Sequence, residues 1–145
     1  MKQVFDTWKV YFGKNAIISF FFLACILVIL TVLYRSIKSR VNLKKLSLIC
    51  VICAAGFIFA WRQPYLSEKA HVLEYGVLGW LAVRDLVKDK GNILKSLFYA
   101  LIFVAIIGSL DEGYQKLLPW RVCEIRDIVT NVLSGALGIV LFILR

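Results

Sequence analysis

The chain has 145 residues, 61% of them apolar and only 19% charged, which is too hydrophobic for a water-facing domain of this size. One transmembrane helix takes about 20 mostly apolar residues, so the length allows at most about five spans with short connections and no separate catalytic module. The net charge of +9 does not point to nucleic acid, because the 18 Lys and Arg fall in short clusters between apolar runs; such clusters orient membrane helices and meet anionic headgroups.

In chain order, residues 1–15 carry Val4, Phe5, Trp8, Tyr11 and Phe12 against Lys2, Lys9 and Lys14, a spacing that predicts an amphipathic segment lying in the membrane interface. Residues 16–145 read as one helical membrane domain. Its first span covers about 16–34; the run is long for the core of a cleaved signal, and no small-residue cleavage pattern follows it. A second span covers about 46–61, with Trp61 and Arg62 at the headgroup boundary and Pro64 breaking the helix. The third, about 67–83, is weaker, since Glu68, Lys69, His71 and Glu74 lie in its first two turns. A fourth covers about 93–110 and a fifth about 128–144. The expected architecture is therefore all-α, a bundle of about five transmembrane helices, with no internal repeat.

The first connection holds Arg35, Lys38, Arg40, Lys44 and Lys45, and the third holds Arg84, Lys88, Lys90 and Lys95. Both are therefore read as cytoplasmic, which puts the second and fourth connections together on the outer face. Cys25, Cys50 and Cys53 fall inside apolar runs and are read as small packing residues. The C-x-x-C of Cys50 and Cys53 lacks the polar surroundings of a redox or metal motif, and Cys123 has no expected partner.

Ionisable groups are costly in a bilayer unless paired or hydrated, so their two clusters carry the functional information. The first is Glu68, Lys69, His71, Glu74 and Tyr75. Glu68, His71 and Tyr75 share one helical face, and a carboxylate beside His71 would fix its tautomer for proton transfer or metal ligation. The second is Asp111, Glu112, Gln115, Pro119, Arg121, Glu124, Arg126, Asp127 and Asn131. Asp127 is placed to cap the last helix, while Asn131, Ser134 and Gly138 continue it as a small polar stripe that admits a close neighbour. By connection parity both clusters share one face. For each, a structural hydrogen-bond network is the plain alternative to a ligand site.

The set Glu68, Lys69, His71 and Tyr75, then Asp111, Glu112 and Gln115, then Pro119 and Arg121, then Asp127 and Asn131 resembles the VanZ-like family over roughly residues 67–138. Ser134 stands where that family's pattern has its first glycine, with Gly135 beside it. The resemblance implies a multi-pass protein of the bacterial cytoplasmic membrane and a link to resistance to the glycopeptide teicoplanin.

Three functions compete. In the first, an outward pocket of Glu68, Lys69, His71, Tyr75, Asp111, Glu112, Gln115, Arg121, Asp127 and Asn131 binds the headgroup of a lipid-linked envelope component or modulates a glycopeptide's access to it, with Arg121 pairing an anionic group. In the second, an enzyme acting on a lipid-linked phosphate or glycan uses His71 as base or nucleophile, tuned by Glu68 or Glu74, with Asp111, Glu112 and Asp127 holding a divalent cation. No spacing here is a recognised metal or phosphotransfer motif, so the sequence defines no cofactor. The third is a small proton-coupled transporter using Glu74. The bilayer is the expected partner; the oligomeric state is left open.

Overall fold

The computed structural model describes residues 2–87, 92–117 and 124–144, and their side chains except those of 2–15 and 17. Arg121, Pro119 and Cys123 lie outside the described residues. The described chain forms five α-helices and no strand: α1 Lys2–Lys38, α2 Leu43–Arg62, α3 Leu66–Leu86, α4 Ile93–Lys116 and α5 Ile125–Leu144. Four segments are long and apolar enough to cross a membrane, Ile18–Lys38, Leu43–Arg62, Ile93–Lys116 and Ile125–Leu144. They fit a multi-pass membrane protein. All five expected helices form, but α3 is not among these four, because Glu68, Lys69, Glu74, Arg84 and Asp85 interrupt its 21 residues. Large apolar side chains such as Leu27, Ile58, Ile106 and Leu133 are exposed, as suits faces turned toward lipid.

Local chemistry sets the helix ends. Asn42 and Asn92 cap α2 and α4, each side-chain oxygen accepting an N–H two residues on, at 3.3 and 3.0 Å, which satisfies one otherwise orphaned donor apiece. Gln63 turns extended after α2 (φ −66°, ψ 132°) because the following Pro64 disfavours helix there. α4 runs to Lys116, beyond the expected membrane span of about 93–110. The polar residues beyond that point remain helical, because Gln115 hydrogen-bonds back to Asp111 and Glu112 at the i−4 and i−3 positions.

The chain divides into two compact units, residues 1–70 and 71–144. In the first, α1 packs on α2 through Phe22, whose ring lies 5.7 Å from Phe57 and 5.0 Å from Trp61. Cys25 and Cys53 are buried and Cys50 is exposed, all as free thiols, so the two cysteines of C-x-x-C face different surroundings.

In the second unit, α4 packs on α5, and α3 crosses α5 with backbone against backbone. A Cβ built on Gly79 would meet the carbonyl of Gly135, and one on Gly138 would meet the carbonyl of Gly76. Only residues without side chains allow that approach. At the far end, Val83, Ala100 and Ile139 form a buried cluster flanked by Leu97 and Phe142, and the Ser96 hydroxyl donates to Leu86 O at 3.2 Å. This arrangement makes α3 and α4 antiparallel and brings the start of α3, the end of α4 and the start of α5 together.

Candidate functional site

Those three helix ends carry the polar residues of the second unit. α3 supplies His71, Glu74 and Tyr75, one turn apart at most; α4 supplies Asp111, Glu112 and Gln115; α5 supplies Asn131. His71 Nδ1 lies 3.3 Å from Glu74 Oε2 and 3.9 Å from Asp111 Oδ2. The Tyr75 hydroxyl donates to Asp111 Oδ2 at 3.3 Å. Gln115 Nε2 donates to the same oxygen at 3.0 Å and to Glu112 Oε1 at 3.4 Å. α3 and α4 are thus joined through Tyr75 and Asp111, and a single amide ties two neighbouring carboxylates together.

Burial makes this network consequential. His71 is 3% exposed, Glu112 1% and Asn131 1%. His71 Nε2, Gln115 Oε1 and both amide atoms of Asn131 are buried without a hydrogen-bond partner among the described residues. An amide left unpaired in such surroundings costs about 1–3 kcal/mol or more. Asn131 fits there because Gly108 leaves room: a Cβ on Gly108 would stand 3.2 Å from Asn131 Cβ and 3.5 Å from Tyr75 Cε1. Sequence reading passed over Gly108, whose signal is its place one turn before Asp111 and Glu112 on the same face of α4.

Lys69, Glu68 and Asp127 were also expected at this site. Lys69 belongs to the first unit and closes the end of α2: its Nζ donates to Ala60 O at 3.3 Å and to Trp61 O at 2.6 Å, and sits 5.8 Å from the Trp61 ring centroid. This is the favourable place for a cation against a helix C-terminus. Glu68 is buried in the same unit. Asp127 occupies the first turn of α5 rather than the cap itself. Its N–H bonds to Glu124 O at 3.0 Å, and its carboxylate lies 3.6 Å from Arg126 Nε. Ser134 donates to Thr130 O within its own helix at 2.7 Å, in keeping with packing.

Asp111, Glu112 and Asp127 were the acids expected to share a cation. Among the described residues, the geometry groups the first two with His71, their ligand atoms lying within 4.8 Å of one another.

Residues 16–145 match the VanZ/LLP1 family, nearly the whole chain. No curated protein and no solved structure matches it.

Proposed function

This chain belongs to the VanZ/LLP1 family, and we propose that the polar junction of α3, α4 and α5 binds the headgroup of a lipid-linked cell-envelope component on the outer face of a bacterial cytoplasmic membrane, where it alters the access of a teicoplanin-type glycopeptide. The observation that carries this reading is Asn131: 1% exposed, with neither amide atom partnered among the described residues. Buried polar groups are nearly always satisfied by protein, water or ligand, so an amide with no protein partner is available to a ligand's hydrogen bonds. A side chain held open at a cost favours a binding site, as does the unpartnered Gln115 Oε1 on α4. Hydrogen bonds to a neutral amide and a glutamine carbonyl suit a headgroup bearing both donors and acceptors, such as a phosphate-linked sugar or peptidyl group.

A second reading, an enzyme acting on the same lipid class, draws on His71. Its Nδ1 lies 3.3 Å from the Glu74 carboxylate, near enough for a small rotation to form the hydrogen bond that orients an imidazole for proton transfer.

The test is teicoplanin and vancomycin susceptibility of a bacterial host expressing wild-type chain, Asn131→Leu or His71→Ala at matched membrane abundance. In parallel, binding and turnover of a polyprenyl-linked phosphate are followed with purified protein. Resistance and binding lost with Asn131→Leu, without turnover, support the binding reading; turnover lost with His71→Ala replaces it with the enzyme. Wild-type protein that neither binds nor protects overturns both.

A further inference from the structure

We propose that His71, Asp111 and Glu112 hold one divalent cation of the manganese or zinc type. What that cation would do rests on the headgroup-binding reading; whether it binds does not.

The donor set comes first. One imidazole and two carboxylates present ligand atoms within 4.8 Å of one another. Two ligands each about 2.1 Å from a common ion lie at most about 4.2 Å apart, so small side-chain rotations complete the set. An imidazole donor turns preference away from calcium and magnesium, which take oxygen ligands, and toward zinc or iron, while the two carboxylates also suit manganese.

The surroundings of these ligands are those of a metal site. Ligating carboxylates are held by an outer ring of hydrogen bonds, and here Tyr75 and Gln115 both donate to Asp111 Oδ2 while Gln115 also reaches Glu112 Oε1. Those bonds fix the two acids at adjacent positions of one helix despite their like charge.

An independent observation points the same way. Gln115, bonded to both acids, keeps its carbonyl oxygen buried and unpartnered, and Asn131, packed beside Tyr75 and Gly108, keeps its whole amide so. Water on a bound cation is a donor to such oxygens. A cation would also offset the charge of Asp111 and the buried Glu112 beside His71, whose desolvation is otherwise unfavourable. It would further explain how an acidic junction could receive a phosphate, by placing positive charge between the carboxylates and the ligand.

The experiment uses the full chain in lipid nanodiscs, stripped with EDTA and titrated with Mn²⁺ or Zn²⁺ alone, with binding followed by calorimetry and metal content by mass spectrometry. One equivalent is expected for the wild type. Asp111→Asn and Glu112→Gln, chosen to keep side-chain shape, should abolish it, Gln115→Ala should weaken it about 10- to 100-fold as loss of an outer-ring partner does, and Asp85→Asn should leave it unchanged. Variants are compared only where their unfolding in EDTA matches the wild type, and Tyr75→Phe stands in for any that fails. Absence of stoichiometric binding, or equal affinity in Asp111→Asn and Glu112→Gln, overturns the site. Polyprenyl phosphate is then titrated with and without metal. Metal bound but no headgroup sinks only the functional reading, whereas headgroup bound in EDTA by a chain that takes no metal sinks only the cation.

Discussion

The two units hold their helices together by different means. In residues 1–70, α1 and α2 meet through bulky rings, Phe22 against Phe57 and Trp61, and the buried set there is mostly apolar, with Ile49, Cys25 and Cys53. In residues 71–144, glycine and serine let α3 and α5 touch along their backbones, and the buried set includes His71, Glu112, Gln115 and Asn131. The contrast has a physical cause. Lipid tails are as apolar as leucine, so bulky apolar packing gives a membrane protein little directional information, whereas close backbone approach fixes rotation and register to within fractions of a helical turn. A unit that must place three helix ends within hydrogen-bonding distance of one another needs the second kind of interface.

The comparison is broken most severely at Gly138. A single added Cβ there would overlap the Gly76 carbonyl, and leucine adds further atoms in the same direction, so α3 and α5 must separate. Gly138→Leu is expected to cost the second unit about 3 kcal/mol or more, within the range of severe overpacking, measured by reversible unfolding in mixed micelles. It should also release the Tyr75–Asp111 bond, seen as a change in tyrosine absorbance. Unchanged stability would mean that the two helices are not in contact along that face.

Asn131→Leu moves the other way. Removing an amide whose atoms have no partner relieves about 1–2 kcal/mol of desolvation, less whatever the larger side chain costs against Gly108. The protein should become more stable while headgroup binding disappears, the trade expected where stability has been given up for a site. A loss of stability instead would show that Asn131 serves the fold.

How much of this was legible beforehand depends on the kind of interaction. The five helices were readable because each rests on an apolar run bounded by Asn, Pro or charge, a local property. The last turns of α4 were only half legible: the one-turn spacing of Asp111 and Gln115 allowed either a helix end or a polar face tilted to the surface, and the bonds from Gln115 to Asp111 and Glu112 favour the helix. Connection parity put His71 and Asp111 on one face without saying that they meet at 3.9 Å, and it gave no sign of the role of Lys69. Its nearest ionisable neighbours in the sequence are Glu68 and His71, whereas its partners are carbonyls eight and nine residues back, and only the turn at Pro64 brings them within reach. Gly108 was invisible because its contribution is the absence of a side chain.

Two smaller perturbations sharpen the contrast from the side of the first unit. Phe22→Ala removes the ring shared by Phe57 and Trp61, and aromatic pairs contribute about 0.5–1.5 kcal/mol beyond area burial. A loss of about 1 kcal/mol in the first unit with metal and headgroup binding intact is the expected result, and impaired binding would show that the site depends on α1. The smallest effect is expected at Arg40, where α1 ends with Val41 N–H bonded to Ser36 O at 3.2 Å and Arg40 N–H bonded to Ile37 O at 2.9 Å. This closing pattern requires a left-handed residue, and Arg40 supplies it at φ 50°, a conformation in which an L side chain crowds its own backbone. Arg40→Gly relieves that strain but gives the unfolded chain more freedom, so the net gain should be about 0.5 kcal/mol. Because Arg40 is also one of the charges on which the expected cytoplasmic placement of the first connection rests, the same variant is read twice, by unfolding and by the accessibility of a cysteine placed at Ser39. A gain in stability with unchanged accessibility assigns the residue to the turn, and a shift in accessibility assigns it to the orientation of the whole chain.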